Sequence, residues 1–151
     1  MNRLGRLTLN EVKYTTTHEW IELTDNEGVV GITERVQLIY GDIIFVDLPP
    51  VNEEFEQDDV IGRVEVADGD SFPIHAPITG EIRAVNTALD DDPYIINRSP
   101  EGDGWVCKMS VESSKELDEL MDAKEYDIYE EEEADGDLLE ETDFYDNDED
   151  F

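Results

Sequence analysis

The stretch of the chain that decides the fold is residues 60–85, VIGRVEVADGDSFPIHAPITGEIRAV. Apolar and polar side chains alternate through residues 60–66, and this period of two is typical of a strand with one buried face. A second short apolar run, residues 72–75, follows after a gap that contains Asp68-Gly69. Because glycine accepts the positive φ of a tight primed turn, this dipeptide predicts a β-hairpin with Asp68 and Gly69 at its tip.

Short motifs stand in order on both sides of this hairpin. Before it come K-Y-T at residues 13–15, H-E-W at 18–20, V-G-I-T-E at 30–34 and G-D-I-I-F-V-D-L-P at 41–49, and after it come A-P at 76–77, G-E-I at 80–82, A-V-N at 84–86 and G-W at 104–105. Together these motifs resemble the glycine cleavage H-proteins, a family of lipoyl carriers. The resemblance covers about residues 12–129, and so many ordered matches exclude a chance similarity.

The resemblance implies a fold, a class of function and a set of partners. The implied fold is mainly β: a lipoyl/biotinyl-carrier-like barrel-sandwich of two small sheets, with short helices and a C-terminal helix. Members of the family carry a lipoyl group on a hairpin lysine and have no reaction of their own. We therefore expect a carrier-type or binding protein and not an enzyme. The implied partners are glycine cleavage proteins such as the aminomethyltransferase.

The hairpin departs from the family at the attachment site. The family motif is E-S-V-K-A, in which the lysine carries the lipoyl group. Glu65 matches the glutamate of that motif, and counting forward from it places Asp68 at the lysine position. Counting backward from A-P at 76–77 places Gly69 there instead, because this chain has one extra residue. We therefore interpret Glu65, Asp68 and Gly69 as the residues at the family's lipoyl-attachment site, and we expect this site to be unmodified.

A lipoyl group needs a side-chain amine with which it can form a stable amide. Asp68 supplies a carboxylate and Gly69 supplies no side chain. The chain has no lysine between Lys13 and Lys108, so no shift of register restores the site. We expect no cofactor on this protein.

Three functions are compatible with this pattern. The first is an H-protein homologue that is not lipoylated and acts as a binding or regulatory module in glycine cleavage or lipoyl metabolism. The second is a functional carrier with a non-standard attachment. The third is an acidic interaction protein that reuses the scaffold. The missing lysine favours the first over the second, and the well-kept motifs of the body argue against the third.

The chain is strongly acidic. Its 42 acidic and 10 basic side chains give a formal net charge of −32. Phosphates would be repelled by such a surface, so the charge argues against nucleic acid and anionic membranes as partners, and it favours either solubility or a basic partner. No apolar run approaches the ~18 residues of a membrane-spanning helix.

Both ends differ in composition from the body, which we place at residues 12–129. Residues 1–11 form an N-terminal extension, either a short organelle-targeting leader or an ordinary start. We expect a cytoplasmic protein, or one of the mitochondrion or a related organelle if the extension is a leader. Residues 130–151 carry 13 acids and no base, which predicts a disordered tail. That tail either solubilises the protein or offers a short linear motif to a basic partner.

The sequence predicts neither a catalytic site nor a metal site. It contains no Gly-rich phosphate loop and no G-x-S-x-G motif. Two histidines, His18 and His75, with scattered acids are a weak metal signal, so we interpret His18 as a packed structural residue. The single cysteine, Cys107, cannot make a thiolate metal cluster, and we interpret it as a buried thiol. The spacing of apolar residues in 115–129 predicts a terminal helix.

Overall fold

The computed structural model describes the backbone of residues 11–143 and the side chains of residues 11–133. The strands in this range are β1 (Val12–Tyr14), β2 (Glu19–Thr24), β3 (Glu27–Ile32), β4 (Ile43–Asp47), β5 (Glu54–Phe55), β6 (Val60–Val66), β7 (Ser71–His75), β8 (Gly80–Val85) and β9 (Cys107–Ser110). The helices are α1 (Arg35–Tyr40), α2 (Ala88–Asp91), α3 (Ile95–Arg98), α4 (Ser114–Asp118) and α5 (Ala123–Asp143). Residues 1–10 of the N-terminal extension, for which the sequence leaves open a leader or an ordinary start, and residues 144–151 of the expected tail lie outside the described residues.

The strands pair in antiparallel fashion and form two sheets. The larger sheet has the order β1-β2-β3-β9-β8-β5, and the smaller has the order β4-β6-β7. Aliphatic side chains from both sheets, among them Ile21, Val30, Ile74 and Ile82, make one main buried core. The prediction of a mainly β sandwich of two small sheets, with short helices and a C-terminal helix, is confirmed.

The predicted hairpin forms from β6 and β7, and β6 is the central strand of the smaller sheet. A Cβ atom at Gly62 in β6 would collide with the backbone carbonyl oxygen of Asp47 in β4. The two strands can therefore approach closely only because residue 62 is a glycine. Val64 packs inward between its partners Val46 and Phe72, which gives the hairpin its buried face.

A buried carboxylate joins the two sheets. Glu19, the first residue of β2, is 1% exposed. Its Oε1 accepts hydrogen bonds from the hydroxyl groups of Thr15 and Thr17. Its Oε2 accepts a hydrogen bond of 2.8 Å from the backbone N–H of His75 and lies 3.0 Å from His75 Nδ1. Because His75 ends β7, this carboxylate fixes the base of the hairpin to the larger sheet.

We predict that Glu19→Gln lowers the free energy of unfolding by about 2 kcal/mol, because the new NH₂ is poorly satisfied in either orientation. Turned toward His75, it leaves a buried N–H donor without an acceptor; turned toward Thr15, it meets a hydroxyl oxygen that already accepts two backbone N–H bonds. Urea unfolding measures the loss. Glu22→Gln, on the same strand but only partly buried, is the matched control and should change the stability by less than about 0.5 kcal/mol. Equal losses in the two variants would contradict the role of Glu19.

The C-terminal helical region consists of two helices instead of the single helix predicted for residues 115–129. α4 ends at Asp118, and α5 begins at Ala123. Between them the backbone of Met121 exchanges two hydrogen bonds with Tyr14, of 2.8 and 3.0 Å. This segment is therefore drawn into a β-bridge with β1, which interrupts the helix.

Tyr126 docks α5 on the body of the protein. Its ring stacks on the ring of Tyr14 with centroids 4.6 Å apart. Its hydroxyl oxygen lies 2.7 Å from His18 Nδ1 and 2.8 Å from the hydroxyl oxygen of Thr33. Burial raises the pKa of the Tyr126 hydroxyl, so the group stays neutral and can both donate and accept a hydrogen bond. The prediction that His18 is a packed structural residue is confirmed.

The helix α5 continues beyond residue 129. It runs to Asp143, and a carboxylate oxygen of Glu133 lies 3.2 Å from His18 Nε2 and 3.4 Å from a terminal guanidinium nitrogen of Arg35. The structure thus differs from the expected disorder over residues 130–143, because glutamate favours helix and Glu133 contacts the body. The division of the chain into segments 1–11, 12–129 and 130–151 stays a prediction.

Glu101 lies beside this docked helix and accepts a hydrogen bond of 2.9 Å from the Tyr14 hydroxyl. Desolvation by burial raises the pKa of the Glu101 carboxyl; the hydrogen bond from Tyr14 lowers it, and repulsion from Glu34 and Glu130 raises it further. A carboxyl whose folded pKa lies above its unfolded value costs stability when it is ionised. This cost is fully present above the folded pKa and disappears as the pH falls through it.

We predict that Glu101→Gln raises the free energy of unfolding by about 0.5 kcal/mol near neutral pH, the size of an exposed charge interaction. The amide oxygen can still accept the Tyr14 hydrogen bond, so only the charge is lost. The gain should vanish as the pH is lowered through the titration of the wild-type carboxyl. Urea unfolding across this range measures it, with the exposed Glu53→Gln as control for general relief of negative charge. A gain that grows toward acid pH would contradict the prediction.

Two further observations concern the body of the chain. Cys107 is fully buried in β9, and burial raises the pKa of its thiol to about 12, which confirms the prediction of a buried thiol. Within the described residues, no helix is both long enough and apolar enough to cross a membrane.

Candidate functional site at the hairpin tip

The tip of the hairpin is a loop of three residues, 67–69. The Gly69 N–H donates to the Val66 carbonyl oxygen, and the Val66 N–H donates to the Asp70 carbonyl oxygen, both at 2.9 Å. Gly69 has a φ of +103°, whereas Asp68 does not have a positive φ. The predicted primed turn, which needs a positive φ at the residue before glycine, is therefore wrong in type. A wider turn followed by a left-handed glycine closes the hairpin.

The predicted site residues come together at this end of the hairpin. Residues 67–70 are all exposed, and Asp68 Oδ1 accepts a hydrogen bond of 3.1 Å from the Asp70 N–H. Glu65 is also exposed, and it lies opposite Ser71 on the neighbouring strand. The tip is therefore an accessible acidic turn, and its chemistry is that of carboxylates and backbone amides.

The hairpin is held at several points along its length. The Ala67 N–H donates to the Asp42 carbonyl oxygen at 3.0 Å. The ring of Phe72 in β7 packs against that of Tyr40 in α1, with centroids 4.2 Å apart. At the far end of β7, His75 is bound by Glu19 as described above. The tip is thus presented on a fixed base.

The residues at the tip do not fit a lipoyl group. An acyl group is held on a carrier protein of this kind by an amide, and residues 65–71 contain no lysine. The four lysines lie on other elements: Lys13 in β1, Lys108 in β9 over the ring of Trp105, Lys115 in α4 and Lys124 in α5. The β6–β7 hairpin therefore offers no side-chain amine for that chemistry.

The two histidines do not form a site with each other. His18 contacts Tyr126 and Glu133, whereas His75 contacts Glu19. Across the part of the chain that the structure describes, no group of three or more His, Cys, Asp or Glu side chains is placed to hold a metal ion.

Sequence reasoning missed the contact between Glu19 and His75. These residues are 56 positions apart, so no local pattern connects them. The one signal was an acid directly before Trp20 at the start of an apolar strand, where a buried carboxylate needs a partner.

Two packed sheets that present an acidic hairpin on a fixed base define a carrier-type or binding scaffold. The comparisons with known proteins name its family. The model of the glycine cleavage H-protein family matches residues 12–133. The glycine cleavage system H protein of Thermotoga maritima is 40% identical over 114 residues, which are 76% of this chain and 91% of that protein. The H protein of Methylacidiphilum infernorum is 44% identical over 113 residues, which are 75% of this chain and 88% of that protein.

A solved structure agrees with these sequence matches. The crystal structure of a glycine cleavage system H protein from Mycobacterium marinum aligns with a TM-score of 0.70 and 35% identity, covering 78% of this chain and 94% of that one. The chain therefore belongs to the glycine cleavage H-protein family, and the resemblance is confirmed. H-proteins are carriers and not catalysts, and lipoate is the prosthetic group of the family.

Proposed function

We propose that this member of the H-protein family is not lipoylated and acts as a binding or regulatory module in glycine cleavage or lipoyl metabolism. One observation carries the proposal: Asp68 and Gly69 stand at the two candidate positions of the family lysine. Neither residue has an amine, so neither can form the amide that holds lipoate. The protein then acts by docking on enzymes that recognise H-proteins, such as the aminomethyltransferase.

The scaffold supports a docking role. The hairpin is anchored by Glu19 at one end and by the contact of Phe72 with Tyr40 at the other. A surface that another protein recognises by shape needs such a fixed base, because rigid presentation lowers the entropic cost of binding. A partner that reads the scaffold can bind this protein although the attachment chemistry is absent.

The two alternative functions, a carrier with a non-standard attachment and an acidic interaction protein, predict different covalent products and different contact surfaces. A carrier with a non-standard attachment would hold its group through a side chain of the exposed tip, such as the Asp68 carboxylate, or through a lysine elsewhere. An acidic interaction protein would depend on the carboxylates of α5 and the following residues. Glu133 contacts His18 and Arg35, and these contacts attach the described part of that helix to the body. This attachment favours the body as the surface that binds a partner.

We predict that the native protein accepts no lipoate and that a lysine at the tip partly restores acceptance. Asp68→Lys should be modified weakly, because the amine then sits in a loop that is one residue too long. Asp68→Lys with Gly69 deleted should be modified better, because it restores both the amine and the loop length. The measurement is the intact mass after incubation with a lipoate ligase, ATP and lipoate.

Two variants control for the position of the amine. Asp70→Lys makes the same charge change beyond the loop and should stay unmodified. Gly69→Lys places the amine at a residue with a φ of +103°, a conformation that costs a side chain roughly 1 kcal/mol. A lipoyl adduct on the unmutated chain would overturn the proposal, and peptide mapping would then assign it to one of the four lysines.

We predict that the unmodified protein competes with a lipoylated H-protein for the aminomethyltransferase. Competition should weaken as salt rises, because residues 1–129 carry 29 acids against 10 bases and must depend partly on screened attraction. Inhibition of the aminomethyltransferase reaction at several salt concentrations measures it. Absence of competition at low salt, with the protein shown to be folded, would favour the acidic interaction protein instead.

A further inference from the structure

An exposed apolar surface lies next to the hairpin tip. It is formed by five side chains of residues 38–45, which we call the apolar shoulder: Leu38, Ile39, Tyr40, Ile44 and Phe45. Leu38 is 67% exposed and Phe45 is 51% exposed. Clusters of exposed apolar residues on soluble proteins commonly mark contacts with other proteins.

The helical half of the shoulder does not serve the core. Helix α1 has six residues and none of them is buried. Tyr40 contacts Phe72 of the hairpin, whereas Leu38 is mostly exposed and Ile39 is about half exposed. Polar residues at these two positions would leave the core packing unchanged, so the fold gives no reason for leucine and isoleucine there.

The strand half of the shoulder arises from a β-bulge. The pairing of β4 with β6 joins Ile43 to Val66 and Phe45 to Glu65, so Ile44 is an extra residue. In a regular strand one of two successive side chains would face the core. Here Ile44 and Phe45 are both exposed, while Ile43 and Val46 on either side are buried. Bulges often redirect side chains at functional sites, and this one turns two apolar side chains outward together.

The shoulder is joined to the tip. The carbonyl oxygen of Asp42, between the two halves, accepts the hydrogen bond from Ala67 in the loop. Phe45 lies opposite Glu65 on the neighbouring strand. A partner seated on the shoulder would therefore also meet the carboxylates of the tip.

Most of the charges around the shoulder are negative. Exposed carboxylates flank it in the chain and across the hairpin, at Asp42, Asp47, Glu65, Asp68 and Asp70. Two basic side chains lie near the shoulder: Arg63 lies opposite Asp47 in the sheet, and Arg35 of α1 pairs with Glu133. A partner with apolar side chains and flanking lysines or arginines matches both the shoulder and the surrounding carboxylates, which we call its rim.

Two other occupants have the wrong charge. A second copy of this chain would bring another formal charge of −32 to the same place. The chain's own C-terminal segment is the second candidate, because Glu133 of α5 lines one cavity with Ile39 and Tyr40. However, residues 130–151 carry 13 acids and no base, so their aromatic side chains would come with repelling charge.

We propose that the apolar shoulder is a docking site for a basic, amphipathic segment of a partner protein, and that it is the surface through which the docking function proposed above is carried out. The partner's apolar side chains pack on Leu38 and Phe45. Its basic side chains pair with the carboxylates of the rim. The covered shoulder and the acidic tip then form one continuous interface.

The test uses the full-length protein and a fluorescent amphipathic peptide of leucine and lysine. A second peptide, with serine in place of leucine and the same charge, measures attraction by charge alone. We expect the leucine peptide to bind the protein at least about tenfold more tightly than the serine peptide. Leu38→Ser with Phe45→Ser should remove most of this difference.

The matched control is Val51→Ser with Tyr94→Ser, which removes two other exposed apolar side chains and no charge. It should bind the leucine peptide like the wild type. Urea unfolding verifies that both double variants are folded. Equal binding of the two peptides, or equal effects of the two double variants, would overturn the proposal.

Two outcomes would assign the shoulder to another occupant and also overturn the proposal. One is a wild-type dimer in sedimentation that Leu38→Ser with Phe45→Ser dissociates. The other is a rise of about tenfold in peptide affinity when Phe144, Tyr145 and Phe151 are replaced by serine in the full-length chain. Because the probe is a synthetic peptide, these results do not depend on whether the aminomethyltransferase binds, so failure of the docking surface can be told from failure of the proposed function.

Discussion

One buried carboxylate ties the base of the hairpin to the larger sheet. Glu19 is almost fully removed from water, and a charge in such a place is tolerated only when its oxygens are satisfied. Thr15 and Thr17, in the connection between β1 and β2, satisfy one oxygen, and His75 at the end of β7 satisfies the other. The two contacts with His75 therefore also tie the smaller sheet to the larger one.

His18 and Trp20, the neighbours of Glu19 in the chain, also join separate parts of the molecule. His18 has a positive φ of 74°, which turns the chain into β2, and its ring holds Tyr126 of the terminal helix. Trp20 donates its indole N–H to the carbonyl oxygens of Ile32 and Pro100, at 3.1 and 3.0 Å. Three consecutive residues thus connect three separate parts of the molecule. The H-E-W motif is a scaffold motif, and it says little about chemistry at the tip.

Local patterns predicted those parts of the structure that local energies decide. The alternation in residues 60–66 predicted β6 because side chains alternate across a strand, and the composition of residues 67–71 predicted the hairpin although not its turn type. The sequence did not predict the bulge at Ile44 or the hydrogen bond between Glu19 and His75, because both depend on pairing between distant segments. The sequence did not predict the break between α4 and α5 for the same reason, because the break follows from the backbone hydrogen bonds of Met121 with Tyr14. At the site, the absence of an amine from residues 65–71 can be read directly from the sequence, whereas the sequence did not predict the exposed shoulder.

Carrier work in this family requires two separable things, a hairpin held in a fixed place and a nucleophile at its tip. The first is distributed over many buried contacts, such as the two hydrogen bonds between the side chain of Asn97 and the backbone of Ile43. The second depends on a single side chain. A family match over residues 12–133 therefore reports mainly on the scaffold, and it is almost insensitive to the identity of residue 68 or 69. Function within such a family has to be argued from the tip and its surroundings, where this chain has carboxylates, a left-handed glycine and an adjacent apolar surface.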